Sequence, residues 1–264
     1  MKIVVCVKQV PDTKGGVKFK PDGTLDRGAM LAIMNPDDKA GLEAALKIKN
    51  ENPGTEVTVV TMGLPKADDV LREALAMGAD KAILVTDRVL GGADTWATSQ
   101  TLAGAIRNLD YDLVITGRQA IDGDTAQVGP QISERLDLPL ISYAEDIKID
   151  GDYVIVKRQF EDRYHMLKVK MPCLITALAE LGEGMYMTPG GIFDAYSDSA
   201  DVTVWGRADL KDVSDDNLGL KGSPTQIAKA SDRVAKGAGE KVTPDSPKEA
   251  VDYIVGKLAE KHVI

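Results

Sequence analysis

One short segment gathers the residue types that hold a phosphate. "GRQAIDGDTAQVGP" runs from Gly117 to Pro130 and packs three Gly, two Asp, one Thr and two Gln between an apolar run and a helical pattern. Gly117 and Gly123 let backbone approach a ligand without a Cβ. A helix starting inside the segment, capped by Asp124 or Thr125 or beginning nearer Gly129, would aim free N–H groups and a positive end outward. Taken alone, the segment reads first as a polar loop capped by its own Asp. Asp122 and Asp124 are two carboxylates with no third ligand nearby in sequence, which is too few for a metal.

The other chemistries are missing their parts. No GxGxxG follows the first apolar run, where "VKQVPDTKGG" stands, and no GxxxxGK[ST] or GxSxG occurs. The two His, His165 and His262, fall outside the sheet-edge loops and are expected at the surface. With no acid–base or nucleophile constellation, the pattern favours a cofactor that carries its own chemistry.

These residues need a scaffold, and the first half of the chain supplies it. "IVVCV" (3–7), "EVTVVTMG" (56–63), "KAILVTD" (81–87) and "DLVITG" (112–117) are strand-like. Between them lie helical patterns at 37–51, 65–80 and 94–109; Pro65 and Gly78 bracket the second. Strands alternating with helices imply an α/β fold with a doubly wound parallel sheet. The runs 153–160 and 164–170 read as an added β-hairpin, and "PCLITALAE" (172–180) as a further strand. From 197 the chain turns polar and closes on an amphipathic helix at 246–261. The expected division is a nucleotide-binding α/β domain over 1–196 and a C-terminal arm over 197–264.

Composition narrows the partners. The net charge of −9 argues against a bulk nucleic-acid binder. No apolar run approaches the roughly 18 residues of a membrane span, and "MKIVVCVKQV" lacks the h-region of a signal peptide. Cys6 and Cys173 lie in apolar runs without metal spacing, which fits a reducing compartment. A soluble, cytoplasmic protein is expected.

In such sheets ligands bind beyond the carboxyl ends of the strands. The loops there are "VKQVPD", "TMGLPK", "TDRVLGGADT" and "TGRQAIDGDTAQVGP", with "MNPDD" (34–38) beside them. As an ordered set, "VCVKQVPD" (5–12), "IMNPDDKAGLEAAL" (33–46), "VTVVTMG" (57–63), "LAMGAD" (75–80) and "GRQAIDGDTAQVGP" resemble the β subunit of electron-transfer flavoproteins, along the whole chain.

The resemblance implies a subunit that pairs with an FAD-bearing α subunit and binds an adenine nucleotide in its own α/β domain. Carried over by motif, the site takes Cys6, Asn35, Pro36, Asp37, Asp38 and Met62. It is closed by Gly117, Arg118, Gln119, Ala120, Ile121, Asp122, Gly123, Asp124, Thr125, Ala126, Gln127 and Val128, with the backbone of 124–128 against phosphate. "DGDTAQVGP" and "DRVLGGADTWATS" (87–99) are similar to the electron-bifurcating type, which holds FAD here where housekeeping members hold AMP. Gly91 and Gly92 would then admit a flavin or nicotinamide ring, and Asp94, Thr95 and Thr98 would bond its edge. The same Asp94 could instead simply cap the helix that follows.

The activity implied is electron bifurcation or confurcation. It would link NAD(H), ferredoxin or flavodoxin, and a flavin dehydrogenase of acyl-CoA or lactate/glycolate type. "ELGEGMYMTPGGIFDAY" (180–196) departs from the usual dehydrogenase-recognition run. Tyr186 is kept, but Gly184 replaces the usual Pro and Met185 the usual Arg. Met185, Tyr186, Met187 and Ile192 are the expected docking residues. The family also gives the polar tail a role, wrapping the α subunit. A universal-stress-type nucleotide-sensing domain is the alternative from another class.

Overall fold

The structure is a computed structural model and describes residues 1–12, 31–228, 237 and 239–264. Thr13 to Gly16 of the first loop, and part of the expected arm, lie outside the described residues. Two compact units are present, Met1–Ala228 and Lys229–Ile264.

The first unit is built on one nine-stranded sheet. Its elements are β1 (Lys2–Cys6), a small pair β2 (Gln9–Pro11) and β3 (Ala32–Met34), α1 (Pro36–Glu51), β4 (Glu56–Met62), α2 (Asp68–Met77), β5 (Lys81–Val85), α3 (Thr95–Ile106), β6 (Leu113–Gly117) and α4 (Val128–Leu136). Then follow β7 (Leu140–Asp150), β8 (Tyr153–Gln159), β9 (Tyr164–Lys170), β10 (Cys173–Ala177), α5 (Pro189–Ala195) and β11 (Val202–Trp205). Strand order is β11-β5-β4-β1-β6-β10-β7-β8-β9. The pairs from β11 to β7 are parallel, and β7-β8-β9 are antiparallel.

The inner strands β1, β4, β5, β6 and β10 are buried on both faces because they are near-continuous apolar runs, whereas β7, β8, β9 and β11 leave residues exposed. Ile3 and Val5 of β1 point into one core with Leu42 and Leu46 of α1 and Leu71 of α2. Val4 and Cys6 point into the other, with Leu102 and Ile106 of α3 and Ile132 of α4. Successive strands run from β1 outward to β5. The chain then returns to place β6 on β1's other side, so a topological switch opens between the carboxyl ends of β1 and β6.

The doubly wound fold and its added hairpin match the expectation. The boundary at 196 does not. β11 pairs with β5 from Val202↔Ala82 to Trp205↔Val85, and Leu210 and Leu218 are buried in the α3/α4-side core. The polar stretch therefore stays in the body to Ala228, since an edge strand and two leucines suffice to anchor it. The second unit carries α6 (Pro247–Glu260), which Ser246 caps by accepting from the Glu249 N–H, with Val251, Ile254, Val255 and Leu258 exposed on it.

Candidate functional site

The carboxyl ends of β1 and β6 meet over a buried carboxylate. Asp38, in the first turn of α1, accepts the Lys8 N–H at 2.8 Å and the Gly117 N–H at 2.9 Å, one on each oxygen. It thereby ties together the ends of the two strands that flank the switch. Burial pushes Asp38 up to about 7, against hydrogen bonds from Asn35, Lys8 and Gly117 that pull it down. Burial likewise raises the Cys6 thiol to about 12, helped by Asp38. Cys6 is thus an inert wall of the crevice, buried beneath the loops.

Asn35 does the same for the next loop. Its amide donates to the Gln119 carbonyl at 2.8 Å and its oxygen accepts the Ile121 N–H at 3.0 Å. Lys8 forms an ion pair with Asp122 at 2.7 Å, and Arg118 faces Asp37 at 3.3 Å. Burial raises Asp37, with Arg118 opposing. Pro36 opens α1 at the position where its missing N–H costs nothing. "MNPDD" is therefore a clasp on "GRQAID", and Lys8, absent from the expected set, is part of it. Its signal was the loop it occupies, directly after β1.

Only glycine fits at two points of contact. A Cβ on Gly117 would overlap the Asp38 carboxylate and lie 2.8 Å from the Asp38 nitrogen. One on Gly129 would lie 2.5 Å from Thr116 Oγ1, so α4 begins hard against the end of β6.

Between these points the backbone is strained. Asp124 and Ala126 have φ of 50° and 52°, left-handed values that L-residues with a Cβ avoid. Gly123, Asp124 and Thr125 are exposed, and the Gln119 amide donates to Asp124 Oδ1 at 3.1 Å. α4 starts at Val128 with Gln127 as N-cap and no side-chain cap. The expected capping by Asp124 or Thr125 is thus replaced by an uncapped helix end. Both residues sit too far out on the loop to reach it. The first N–H groups of α4, at Val128 and Gly129, have no intrahelical acceptor.

The loop after β5 is brought to the same edge through α3. Asp94 caps α3, accepting the Ala97 N–H at 3.0 Å, so the capping reading holds. Thr95 Oγ1 donates to Gln127 Oε1 at 2.7 Å and joins the start of α3 to the start of α4. Thr98 donates its N–H to the Asp94 carbonyl, a helical bond within α3. Gly91 and Gly92 are exposed, and Gly92 is left-handed at φ 73°. Met62 lies half-buried at the end of β4. Among the described residues no group of three His, Cys, Asp or Glu could hold a metal ion.

The expected docking loop divides. Tyr186 is 90% exposed, and Met187 and Ile192 are exposed with it. Met185 is the exception: it packs partly buried against the domain's own core. Gly184, left-handed at φ 75°, turns the chain there while its N–H is held by buried Glu43. The patch gains Phe193 and Tyr196, both exposed and missed in the sequence, where their apolar period on a seven-residue helix was too short to read. Arg72 of α2 fixes this helix, donating to the Ala195 carbonyl at 2.6 Å beneath the Tyr196 ring.

Comparison with known proteins converges on one family. A model described as the electron transfer flavoprotein domain matches residues 22–185. The chain is 53% identical over 266 residues to the caffeyl-CoA reductase–Etf complex subunit CarD of Acetobacterium woodii, with both chains covered in full. It is 52% identical over 266 residues to the electron transfer flavoprotein subunit beta of Clostridium acetobutylicum, again in full. The acryloyl-CoA reductase electron transfer subunit gamma of Anaerotignum propionicum is 49% identical over 271 residues with the same coverage.

Proposed function

The chain belongs to the electron transfer flavoprotein family as a β-type subunit, and from that premise we propose that it holds FAD at the β1/β6 crevice and serves electron bifurcation. The observation that carries the nucleotide reading is the strained turn at Asp124 and Ala126, opening onto the uncapped start of α4 at the switch point. Strain of this kind persists where the surroundings impose it and clusters at ligand clamps. Successive backbone N–H groups in such a turn make a concavity for an anion, and the helix end adds its partial charge.

The residues fit the group. The Gly123 and Asp124 N–H groups are held by the Ala120 carbonyl, so the Thr125 N–H and the amides of Val128 and Gly129 offer the phosphate cradle. Gly91 and Gly92 are exposed beside the start of α3, with Leu220 lying 3.1 Å from where a Gly92 Cβ would stand. Asn35 and Asp38 are buried and set the loop's position by holding its backbone, and Lys8 holds it through the Asp122 carboxylate. Bound FAD would accept hydride from NADH and pass electrons on singly to two different acceptors. The protein's part is to bind, orient and exclude water, since among the described residues no acid–base constellation is built into this edge.

The names of relatives that serve caffeyl-CoA and acryloyl-CoA reductases support an acyl-CoA-type flavin dehydrogenase as one partner. An α subunit carrying its own FAD is the other, with ferredoxin or flavodoxin as the low-potential acceptor. Tyr186, Met187, Ile192, Phe193 and Tyr196 offer the dehydrogenase an apolar, aromatic face of the kind that anchors interfaces.

Nucleotide content of the purified αβ complex tests the proposal. Two FAD per heterodimer are expected. One FAD with one AMP would leave an electron carrier with a structural nucleotide and end the bifurcation reading. No nucleotide at the second site would end both.

A further inference from the structure

The glycine loop after β5 is held by a segment from the polar stretch beyond 197. Leu220 donates its N–H to the Gly91 carbonyl at 2.9 Å. The Asp94 N–H donates to Ser223 Oγ at 2.9 Å, and that buried hydroxyl donates to the Gly219 carbonyl at 2.7 Å. Thr225 donates twice to Asp94 Oδ2, from its N–H at 3.0 Å and its hydroxyl at 2.7 Å. The other oxygen, Oδ1, is the α3 cap.

Packing seats the same segment. Leu218 and Leu90 are buried in one cluster. Gly219 is left-handed at φ 57°, where a Cβ would overlap the Val89 carbonyl and lie 3.0 Å from that of Gly91. Strap and loop therefore meet backbone to backbone.

We infer that Ser223 and Thr225 are positioning residues for the nucleotide: they hold Asp94 and the Gly91–Asp94 turn in one conformation, and Asp94 acts by ordering this loop rather than as a direct ligand. Three protein donors occupy its carboxylate, so it has little left to offer a flavin edge. The order it imposes travels on. Asp94 caps α3, and the next residue, Thr95, bonds Gln127 at the start of α4. Thr225 thus stands two side-chain contacts from the proposed phosphate cradle. The inference rests on the reading that these loops take a nucleotide.

The test uses the αβ complex with Thr225→Val, Ser223→Ala and the conservative Thr225→Ser. Hydrogen–deuterium exchange over residues 89–97 reports the strap without reference to any ligand. The rate at which the β-site nucleotide is lost on dilution, followed by chromatography of released FAD and AMP, reports positioning. Thr225→Val is expected to speed both by roughly tenfold, the scale of one hydrogen bond to a charged group, and Ser223→Ala, which removes a bond to the neutral Asp94 N–H, by roughly fivefold. Thr225→Ser should restore both. Unchanged exchange overturns the strap. Faster exchange with unchanged nucleotide loss overturns the positioning role. If the wild-type complex holds no β-site nucleotide, the functional reading fails and the positioning role with it; exchange alone then decides whether the strap orders the loop.

Discussion

Replacing Gly117 by Ala should do severe damage where β6 meets α1. The new Cβ would overlap the Asp38 carboxylate and crowd the α1 backbone, at 2.8 Å from the Asp38 nitrogen and 3.0 Å from the Asp37 carbonyl carbon. Neither neighbour can retreat. The carboxylate is buried and bonded on both oxygens, and α1 is already pressed on β6, where a Cβ on Gly41 would come to 2.9 Å from Ile115. Overpacking of this kind costs about 1–3 kcal/mol. Losing the Gly117 N–H to a charged acceptor adds roughly 1.5–3 kcal/mol. The sum, about 2.5–6 kcal/mol, is a large share of a typical domain's stability. Urea unfolding of the full chain by circular dichroism measures it. Gly123→Ala is the control, because nothing lies within 4 Å of its Cβ, and it should change stability by no more than about 0.5 kcal/mol. A Gly117→Ala midpoint equal to that of the control would refute the clasp as described.

Ala126→Gly should stabilise the chain by roughly 0.5–1 kcal/mol, because the left-handed φ of 52° is relieved, less glycine's greater unfolded entropy; a lower urea midpoint would show that the turn is not strained. Asp38 should also give stability a pH dependence. Its folded pKa, about 7, lies above the ordinary value of 3.8, so its contribution is full below about 3.8 and is lost as pH rises to about 7. Wild type should therefore lose stability relative to Asp38→Asn across that window and run parallel to it above. A constant difference between pH 4 and 7 would contradict the burial of this carboxylate.

Much of the architecture was legible because it is written in local patterns. Apolar β-branched runs such as "IVVCV" bounded by polar loops favour strands covered on both faces, and "DDVLREALAM" a helix with one buried side. What escaped was written in space. β10 follows the hairpin in sequence yet inserts between β6 and β7, which no periodicity declares. "DVTVW" is an edge strand whose middle residues face solvent, so it looked like tail. "GLKGSPT" has the composition of any loop, and its use as a strap depends on Gly91 and Asp94, well over a hundred residues earlier.

The same distinction explains how an acidic chain can offer a place for phosphate. Asp37, Asp38, Asp94, Asp122 and Asp124 crowd one sheet edge, and read as charges they should repel an anion. Their partners change the sign of the argument. Asp38 is spent on the amides of Lys8 and Gly117, Asp122 on the Lys8 ammonium and Asp37 on Arg118. Asp94 is spent on the start of α3 and on Thr225, which hold it charged below the ordinary carboxylate value even though partial burial pushes the other way. These four carboxylates thus each fix a loop or a helix start, the exposed Asp124 accepts from the Gln119 amide, and the uncapped start of α4 is what remains for an anion. Lys8 is the economical check on this balance. Lys8→Ala removes a positive charge near the proposed cradle, so direct charge attraction alone would make it weaken nucleotide binding with a strong dependence on salt. If its role is to anchor Asp122, binding should weaken while salt dependence stays that of wild type, and exchange at residues 119–124 should rise. A flattened salt response with unchanged exchange would return these residues to the role of direct ligands.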